Sequence, residues 1–300
     1  MERYNNYHKH DMYGNVRSMD VIVKPEEYCK RAKELGHNIL FTTNHGMQGN
    51  LFESYTLAQA YDLKMVVGAE CYYVPDRHEK DKSNRHIILI CMTNDGVREL
   101  NKIISISNDD GLYYRPRIYH ELLFSLTPKN FIITTACIAG ILDDENLIKE
   151  LKQHFGNNFF LEVQNHDTDS QREVNKTVIE FSKRYNIKLI HANDSHYIYP
   201  SDSGYRDLFL KGKGIYYEGE DNFILDYPDY DTIVTRYEKQ GVLNKNQIKE
   251  ALTSTLCFDN AEDYNLINTD IKLPSVSDNP NKELKTIINE KWKQLKDSID

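Results

Sequence analysis

Short apolar runs rich in β-branched residues alternate along this sequence with longer segments in which apolar residues recur at helical spacing. Strands are predicted at 38–44, 64–74, 86–92, 130–137, 159–164 and 188–193. Helices are predicted at 24–36, 51–61, 96–107, 146–155 and 171–186. This alternation is typical of βαβ units with a largely parallel sheet. Seven or so such strands favour a closed barrel over an open sheet, so we expect an α/β fold.

Beyond about residue 200 the pattern changes, and we expect a domain at 1–215 followed by a C-terminal extension at 216–300 that is mostly helical. Residues 273–281 are predicted to be a linker before an amphipathic helix at 282–299. Its apolar side chains recur at helical spacing: Leu284, Ile287, Ile288, Trp292, Leu295 and Ile299. The stripe either packs on the preceding domain or is a docking face that remains when a longer chain is cut.

Composition excludes several classes of protein. The apolar runs are far shorter than the roughly 18 residues that a membrane span requires, and the first residues lack the apolar region of a secretory signal. Five cysteines without a C-x-x-C pair argue against a disulfide framework. We therefore expect a cytoplasmic protein. The net charge of −9 argues against extended, sequence-independent nucleic-acid binding but not against a narrow metal site that binds one phosphate.

Two pairs of potential metal ligands are spaced two residues apart. His8 and His10 would lie on the same face of a strand, within reach of one metal ion. Asp194 and His196 follow an apolar run, at the strand end where barrel enzymes carry their active sites. Either pair alone could equally be a surface feature.

Single residues of the same chemistry lie beside other strands. His45 and Glu70 follow apolar runs, and a glutamate there is costly to bury without a cation or a partner. Cys137 ends another run, although a cysteine alone is more simply a small buried hydrophobe. His86 begins its strand instead of ending it. Asp20 precedes an apolar run, where a turn or capping role is the simpler interpretation.

Together these residues have the chemistry of a multinuclear metal site. The candidate ligands are His8, His10, Asp20, His45, Glu70, His86, Cys137, Asp194 and His196. Imidazoles and carboxylates suit Zn, Mn or Fe, and a thiolate favours Zn at one position. A metal cluster lowers the pKa of a bound water and binds a phosphate, which is the chemistry of phosphoester hydrolysis.

The candidate ligands lie in motifs that resemble those of the PHP (polymerase and histidinol phosphatase) domain family. In order along the chain, these are HKH (8–10), Asp20, TTNHG (42–46), GAE (68–70), RHIIL (85–89), TAC (135–137) and NDSHY (193–197). Longer stretches, among them GLYYRPRI (111–118) and LEVQNHD (161–167), are similar to the amino-terminal PHP domain of bacterial C-family replicative polymerases, the DNA polymerase III alpha subunit. The resemblance extends from about residue 4 to 215 and more weakly to about 275.

The resemblance implies a distorted (β/α)7 barrel that holds up to three divalent metal ions, Zn, Mn or Fe. Carried over by position, the first ion would be held by His8, His10, Glu70 and Asp194. The second would be held by Glu70, His86 and Cys137, and the third by Asp20, His45 and His196. We expect the metal-bound water that attacks the substrate to be held by Glu70, Asp194 and His196.

Two positions depart from the family pattern. Asn44 stands where the family usually has Asp. This position is not one of the nine candidate ligands, and the family resemblance implies that its side chain supports them. Asp11 replaces a common Ser or Thr after the HKH motif, and about three extra residues separate it from Asp20. Asp11 is therefore a reserve candidate for the ligand role of Asp20.

Four further residues are candidate substrate contacts. Arg115 and Arg117 could bind a phosphate, because guanidinium groups match phosphate oxygens, or be solvated or structural. Tyr114 could stack on a terminal base or pack in the core. His166 could contact the substrate or lie in a surface loop.

Three functions remain open from the sequence. The complete ligand set and the similarity to replicative polymerases favour a 3′–5′ exonuclease that acts on DNA 3′ ends, beside a polymerase module or other replisome proteins. The alternatives are a phosphatase of the histidinol phosphatase type and a metal-stabilised scaffold without catalysis. The chain is too short to include the polymerase palm and fingers, so we expect no DNA synthesis. The short apolar runs predict no membrane partner.

Overall fold

Seven strands form one mixed sheet in the structure, a computed structural model that describes residues 2–80, 82, 85–216, 223–267, 270–271 and 274–298. The strands are β1 (Ile39–Thr42), β2 (Lys64–Val74), β3 (Arg85–Cys91), β4 (Arg117–Tyr119), β5 (Phe131–Thr134), β6 (Phe159–Val163) and β7 (Leu189–His191). Their order is β1-β2-β3-β5-β6-β7, and β4 pairs with β2 off this path. The α/β class and the distorted (β/α)7 barrel expected from the sequence are confirmed.

One strand breaks the parallel arrangement. β3 is antiparallel to both β2 and β5, whereas the β1–β2, β2–β4, β5–β6 and β6–β7 pairs are parallel. Only residues 75–84 separate β2 from β3, too few for the helical crossover that a parallel connection requires. The start of β3 therefore lies at the same edge of the sheet as the carboxyl ends of its neighbours.

The N-terminal segment lies between the two ends of the sheet. Lys9 forms a parallel bridge with Ser195, beyond the end of β7. The backbone N–H of Lys9 donates to the hydroxyl of Thr43, which follows β1, at 2.9 Å. The backbone N–H of His10 donates to the carbonyl of Ser195 at 2.8 Å. This segment thus connects the ends of β1 and β7 and carries His8 and His10 to that edge.

The two faces of the sheet bury separate apolar clusters. One cluster includes alternate residues of the strands together with side chains from outside the sheet: Tyr7, Ile39, Phe41, Val66, Ile88, Ile90, Ile132, Phe160, Ile190 and Phe258. Because β1 and β7 both contribute to it, the sheet must curl around this cluster. The intervening residues, such as Leu40, Leu89 and Leu161, belong to a larger cluster that includes helix residues.

The helices are α1 (Pro25–Glu34), α2 (Leu51–Ala60), α3 (Asn94–Asp109), α4 (His120–Phe124), α5 (Glu145–Phe155), α6 (Asp169–Tyr185), α7 (Ser203–Lys213), α8 (Tyr230–Gln240), α9 (Lys245–Ser254) and α10 (Pro280–Leu295). The side chains of Thr93, Asp144 and Thr168 cap α3, α5 and α6 at their N-termini. The five helices predicted before residue 200 are present, with ends that differ by a few residues.

The chain divides into two compact units, Met1–Leu266 and Ile267–Asp300. In the first unit, α8 and α9 bury Ile233, Tyr237 and Ile248 in the larger apolar cluster. The predicted domain boundary near residue 215 stays a prediction.

The second unit contains α10. Five apolar residues of the predicted stripe are 50–59% exposed: Leu284, Ile287, Ile288, Trp292 and Leu295. Ile299 lies outside the described residues. Within the described parts of both units, no helix has the length and apolar character needed to cross a membrane.

Candidate metal centre

The predicted ligands converge at one edge of the sheet, and the strands explain how. His45 follows β1, Cys137 follows β5, and Asp194 follows β7. His86 is at the start of β3, which reaches the same edge because β3 is antiparallel. Glu70 follows an apolar run but does not end its strand, because β2 continues to Val74 as predicted. It lies inside β2 opposite Ile88, where β2 pairs with β3.

Asp194 lies between two imidazoles of the N-terminal segment. The Nε2 atoms of His8 and His10 are each 3.1 Å from Asp194 Oδ1. The same two nitrogens lie 3.5 and 3.6 Å from the carboxylate oxygens of Glu70. Asp194 has a φ of 52°, in the left-handed region that non-glycine residues seldom adopt. The turn after β7 thus holds a strained backbone at a candidate ligand.

Glu70 also contacts the imidazole and thiol groups on its other side. Glu70 Oε1 is 2.8 Å from His86 Nδ1, which is 3.4 Å from Cys137 Sγ. Glu70 Oε2 contacts His45 Nδ1. A single buried carboxylate therefore touches residues from each predicted metal position, as a bridging ligand must.

Asp20 lies beside the remaining two histidines. Its Oδ2 atom is 3.4 Å from His196 Nε2 and 3.7 Å from His45 Nε2. The rings of His45 and His10 are stacked at 3.9 Å, which places His10 next to this group as well. Arg206 donates to the backbone carbonyl of Asp20 at 2.9 Å and fixes that segment.

Asp11, the reserve candidate, faces another set of partners. Its carboxylate accepts from Lys9 Nζ at 3.1 Å and from Asn44 Nδ2 at 2.9 Å. The structure thus brings Asp20, and not Asp11, to His45 and His196. Asn44 holds Asp11 in place behind the cluster.

The donor atoms of the cluster fit divalent cations. Three groups could each hold an ion, namely His8/His10/Asp194, Glu70/His86/Cys137 and His10/His45/His196. Among the described residues, buried ligand atoms without a hydrogen-bond partner are His8 Nε2, both ring nitrogens of His10 and His45, both carboxylate oxygens of Glu70, Asp20 Oδ1 and Asp194 Oδ1. Buried polar atoms without partners are costly, and imidazole, carboxylate and thiol donors are those that Zn, Mn and Fe accept.

Electrostatics hold the carboxylates of the cluster in their ligand form. Burial alone would raise the pKa of Glu70, but the neighbouring His86 and His45 hold it well below its usual range. Burial opposes ionisation of Asp194 in the same way, and His8 and His196 hold its pKa well below the usual range. Both groups are therefore ionised near neutral pH, which is the state that coordinates a metal.

The imidazole and thiol groups respond to burial in opposite directions. Burial, with the adjacent His45, lowers the pKa of His10 to about 3, so its imidazole is neutral. Burial alone would lower the pKa of His8, but Asp194 and Glu162 hold it well above its usual range. Burial and then Glu70 raise the pKa of the Cys137 thiol. Metal binding must therefore displace protons from His8 and Cys137.

Glu162 is a buried charged residue that the sequence reasoning did not single out. It lies in β6, and its Oε1 atom is 2.9 Å from His8 Nδ1. The available signal was an ionisable residue inside the apolar run FFLEV, two positions after the buried Phe160. Two-residue spacing places both side chains on the same face of the strand.

The two candidate arginines lie in different environments. Arg117 is buried, and its guanidinium donates to the backbone carbonyls of Gly111, Glu79 and Arg77 at 2.8–2.9 Å. These bonds favour the structural interpretation of Arg117. Arg115 donates to a backbone carbonyl and lies 5.4 Å above the ring of Tyr72.

The two candidate rings also differ. Tyr114 is 68% exposed, with Lys82 4.1 Å from its ring centroid. It is therefore a surface residue and not part of the core. His166 is fully buried and stacks on Phe223 at 4.4 Å. Both of its ring nitrogens lack a hydrogen-bond partner in the described part of the chain, and burial lowers its pKa to about 4.

Several known proteins are similar to this chain. The PHP domain family model matches residues 7–166. The DNA polymerase III subunit alpha of Aquifex aeolicus is 32% identical over 205 residues, which are 61% of this chain and 18% of the relative. The same subunit of Borreliella burgdorferi is 30% identical over 224 residues, 69% of this chain and 19% of the relative. The chain thus spans about a fifth of the length of these relatives.

A provisionally named metal-dependent phosphoesterase from Bifidobacterium adolescentis has a solved structure with 13% identity to this chain. Its TM-score is 0.45, over 79% of this chain and 96% of that one, too low to support a fold assignment by itself. The family model is independent of this likeness and covers more than half of the chain. Related to DNA polymerase III alpha subunits, this protein belongs to the PHP domain family.

Proposed function

We propose that this chain is a metal-dependent phosphoesterase that removes nucleotides from DNA 3′ ends, in association with a replicative polymerase module. The observation that carries this proposal is the buried cluster around Glu70, whose carboxylate contacts His8, His10, His45 and His86. Buried donor atoms of this cluster have no hydrogen-bond partner among the described residues, and they are the imidazole and carboxylate atoms that divalent cations accept.

The residues divide into three ligand groups. His8, His10, Glu70 and Asp194 would hold one ion, Glu70, His86 and Cys137 a second, and Asp20, His45 and His196 a third. When bound, divalent ions supply an acidified water and positive charge for a phosphate group. In this proposal Glu70, Asp194 and His196 would hold and orient that water.

A cavity of about 640 Å³ has Cys137 of the cluster in its lining, and we assign substrate entry to this cavity. Arg85 lies at this cavity together with Asp143 and Glu173. Its guanidinium is 3.1 Å from Asp143, so little free positive charge is available for an extended DNA backbone. With the net charge of −9, this lining favours contact with one terminal nucleotide over a long nucleic-acid footprint.

His166 is the best supported of the predicted substrate contacts. It is buried, its ring nitrogens are unpartnered among the described residues, and the field of Asp194 acts on it. A neutral imidazole can accept or donate a hydrogen bond to a substrate oxygen. Tyr114 and Arg115 remain candidates for contacts farther from the cluster.

The DNA substrate and the polymerase partner rest on the names of the relatives. Both relatives reported above are DNA polymerase III alpha subunits, and this chain matches only a fifth of their length. A 3′-end exonuclease next to a polymerase would remove misincorporated nucleotides.

The test is incubation of purified protein with 5′-labelled single-stranded DNA and, separately, with p-nitrophenyl phosphate, in Mn²⁺, Zn²⁺ or excess chelator. We expect stepwise shortening of the DNA from its 3′ end with metal and none with chelator. Glu70→Gln should abolish this activity, whereas Glu121→Gln, an exposed matched control, should retain it. Cleavage of the monoester alone would favour a phosphatase, and bound metal without either activity would favour a scaffold.

A further inference from the structure

Glu162 is a carboxylate on the apolar face of the curled sheet. It is 1% exposed and lies in β6 two residues beyond Phe160, which belongs to the smaller apolar cluster with Phe41 and Ile88. Moving a carboxylate into such surroundings is costly unless hydrogen bonds compensate it. A purely apolar side chain would fill the same position without that cost, so the charge needs an explanation.

Four side chains bond to this carboxylate. Oε1 lies 2.9 Å from His8 Nδ1 and accepts from Gln164 Nε2 at 2.8 Å. Oε2 accepts from the hydroxyls of Tyr7 at 2.6 Å and Thr134 at 2.9 Å. These bonds use about all four acceptor positions of an ionised carboxylate. The carboxylate is thus fixed in orientation, and His8 must direct an Nδ1–H at it.

The other ring nitrogen of His8, Nε2, faces the candidate metal cluster. With one proton held on Nδ1 by Glu162, Nε2 is the nitrogen left to bind a metal ion, and it lies 3.1 Å from Asp194 and 3.5 Å from Glu70. No other cluster histidine within the described chain has a carboxylate from outside the cluster at Nδ1. The Nδ1 of His10 is unpartnered, that of His196 meets a backbone carbonyl at 2.8 Å, and those of His45 and His86 meet Glu70.

We propose that Glu162 is a positioning residue that holds His8 with Nδ1 protonated and Nε2 directed at the metal cluster. This role rests on the metal centre proposed above. A carboxylate behind a histidine ligand fixes the ring and raises the basicity of the ligating nitrogen.

The support for Glu162 extends into two helices. The backbone carbonyl of Gln164 accepts from Asn175 of α6 at 2.8 Å and from Gln240 of α8 at 3.1 Å. Gln240 also donates to the carbonyl of His166 at 2.7 Å. Hydrogen bonds from α6 and α8 therefore fix the backbone just after β6. They help to keep the Glu162 carboxylate in a fixed position behind His8.

The first measurement is imidazole ¹H–¹⁵N NMR on chelator-treated and Zn²⁺-loaded protein, with the His8 signals assigned from a His8→Gln variant. We expect a downfield, slowly exchanging Nδ1–H of His8 in both samples, because Glu162 accepts that proton with or without metal. A His8 ring without this proton overturns the proposal. Because the metal-free sample alone decides this point, failure of the metal centre is distinguishable from failure of Glu162.

The second measurement compares Zn²⁺ affinity, by chelator competition, in Glu162→Gln and Thr134→Val. Both changes alter the bonds of the same buried carboxylate, but only the first removes the charge behind His8. We expect Glu162→Gln to weaken affinity roughly 10–100-fold and to shift the His8 Nδ1–H signal, and Thr134→Val to preserve both. Equal loss in the two variants, or wild-type affinity in folded Glu162→Gln, overturns the proposal. Should Glu162→Gln fail to fold, the wild-type NMR measurement still decides.

Discussion

Asp11 and Asn44 bond to each other reciprocally beneath the candidate metal cluster. The backbone N–H of Asp11 donates to Asn44 Oδ1 at 2.9 Å, and Asn44 Nδ2 donates to Asp11 Oδ1 at 2.9 Å. Asn44 stands where the family usually has an aspartate, and Asp11 where it usually has a serine or threonine. The pair thus has its carboxylate on Asp11 and its amide on Asn44, and we expect the two departures to compensate each other.

This exchange predicts strong coupling between the two positions. Asn44→Asp removes the amide donor and places two carboxylates in contact, which should lower the free energy of unfolding by on the order of 2–3 kcal/mol. Adding Asp11→Ser should recover part of that loss, because one carboxylate and one hydroxyl then face each other. Chemical denaturation of both single variants and the double variant gives the coupling energy.

The control for this cycle is Asn101→Asp, the same chemical change at an exposed position of α3. It should change stability by less than about 0.5 kcal/mol. Additive effects of Asn44→Asp and Asp11→Ser would show that the two sites are independent and contradict the compensation.

Removal of single ligands should separate the metal positions. Glu70 contacts all three groups, so Glu70→Gln removes the charge that lets dications lie close together. Cys137 belongs to one group. We expect Glu70→Gln to lose close to two metal equivalents and nearly all hydrolysis, and Cys137→Ser to lose at most one, with activity partly retained. Elemental analysis of the purified proteins measures this, and wild-type metal content in both variants would refute a bridging role for Glu70.

The alternation of apolar runs and helical periods predicts the fold well, because long elements carry strong patterns. β2 and α6 were expected within a few residues of their observed ends. β4 and α4 were not expected, since the 3 residues of β4 and 5 residues of α4 are too few to show a period. α8 was missed because its apolar residues follow a polar stretch.

The site was predictable as a list of residues and not as an arrangement. His86 begins its strand, and only the antiparallel direction of β3 explains how it meets Cys137. Sequence spacing alone could not decide whether Asp11 or Asp20 is the metal ligand, because the residues that each contacts are far away in sequence. Glu162 could be noticed as a charge in an apolar strand, but its bond to His8 spans 154 residues. Tertiary contacts of this kind leave no periodic signal.

Metal removal should lower the thermal stability of the protein. The ligands come from separate segments between His8 and His196, so ions that bind only the folded chain hold these segments together. A free metal concentration about 100 times the dissociation constant corresponds to roughly 2.7 kcal/mol per site. We expect chelation to lower the melting midpoint by about 5–10 °C. The same chelator should move the midpoint of Glu70→Gln much less. An unchanged wild-type midpoint after verified metal removal would refute the prediction.

Acid should destabilise the fold through two buried histidines outside the cluster. His191 bonds the hydroxyl of Tyr237 and the amide of Asn193, and burial lowers its pKa to about 3. His37 bonds the hydroxyl of Tyr227, and burial lowers its pKa to about 4. Below about pH 6.5 the unfolded chain binds a proton at each of these histidines, whereas the folded chain does not until the pH approaches 4. The free energy of unfolding therefore increases with pH between about 4 and 6.5.

The free energy of unfolding therefore decreases as the pH is lowered. Stability from these two histidines is fully present above about pH 6.5 and falls as the pH approaches 4, by on the order of 3 kcal/mol for each histidine. Chelator-treated protein is used for this measurement, because protonation of the ligands would otherwise release metal in the same interval. Denaturant unfolding between pH 7.5 and 4 should show a shallower decline for His191→Gln than for wild type. His78→Gln, which removes an exposed histidine, should follow the wild-type curve. Parallel curves for wild type and His191→Gln would show that His191 is not held neutral by the fold.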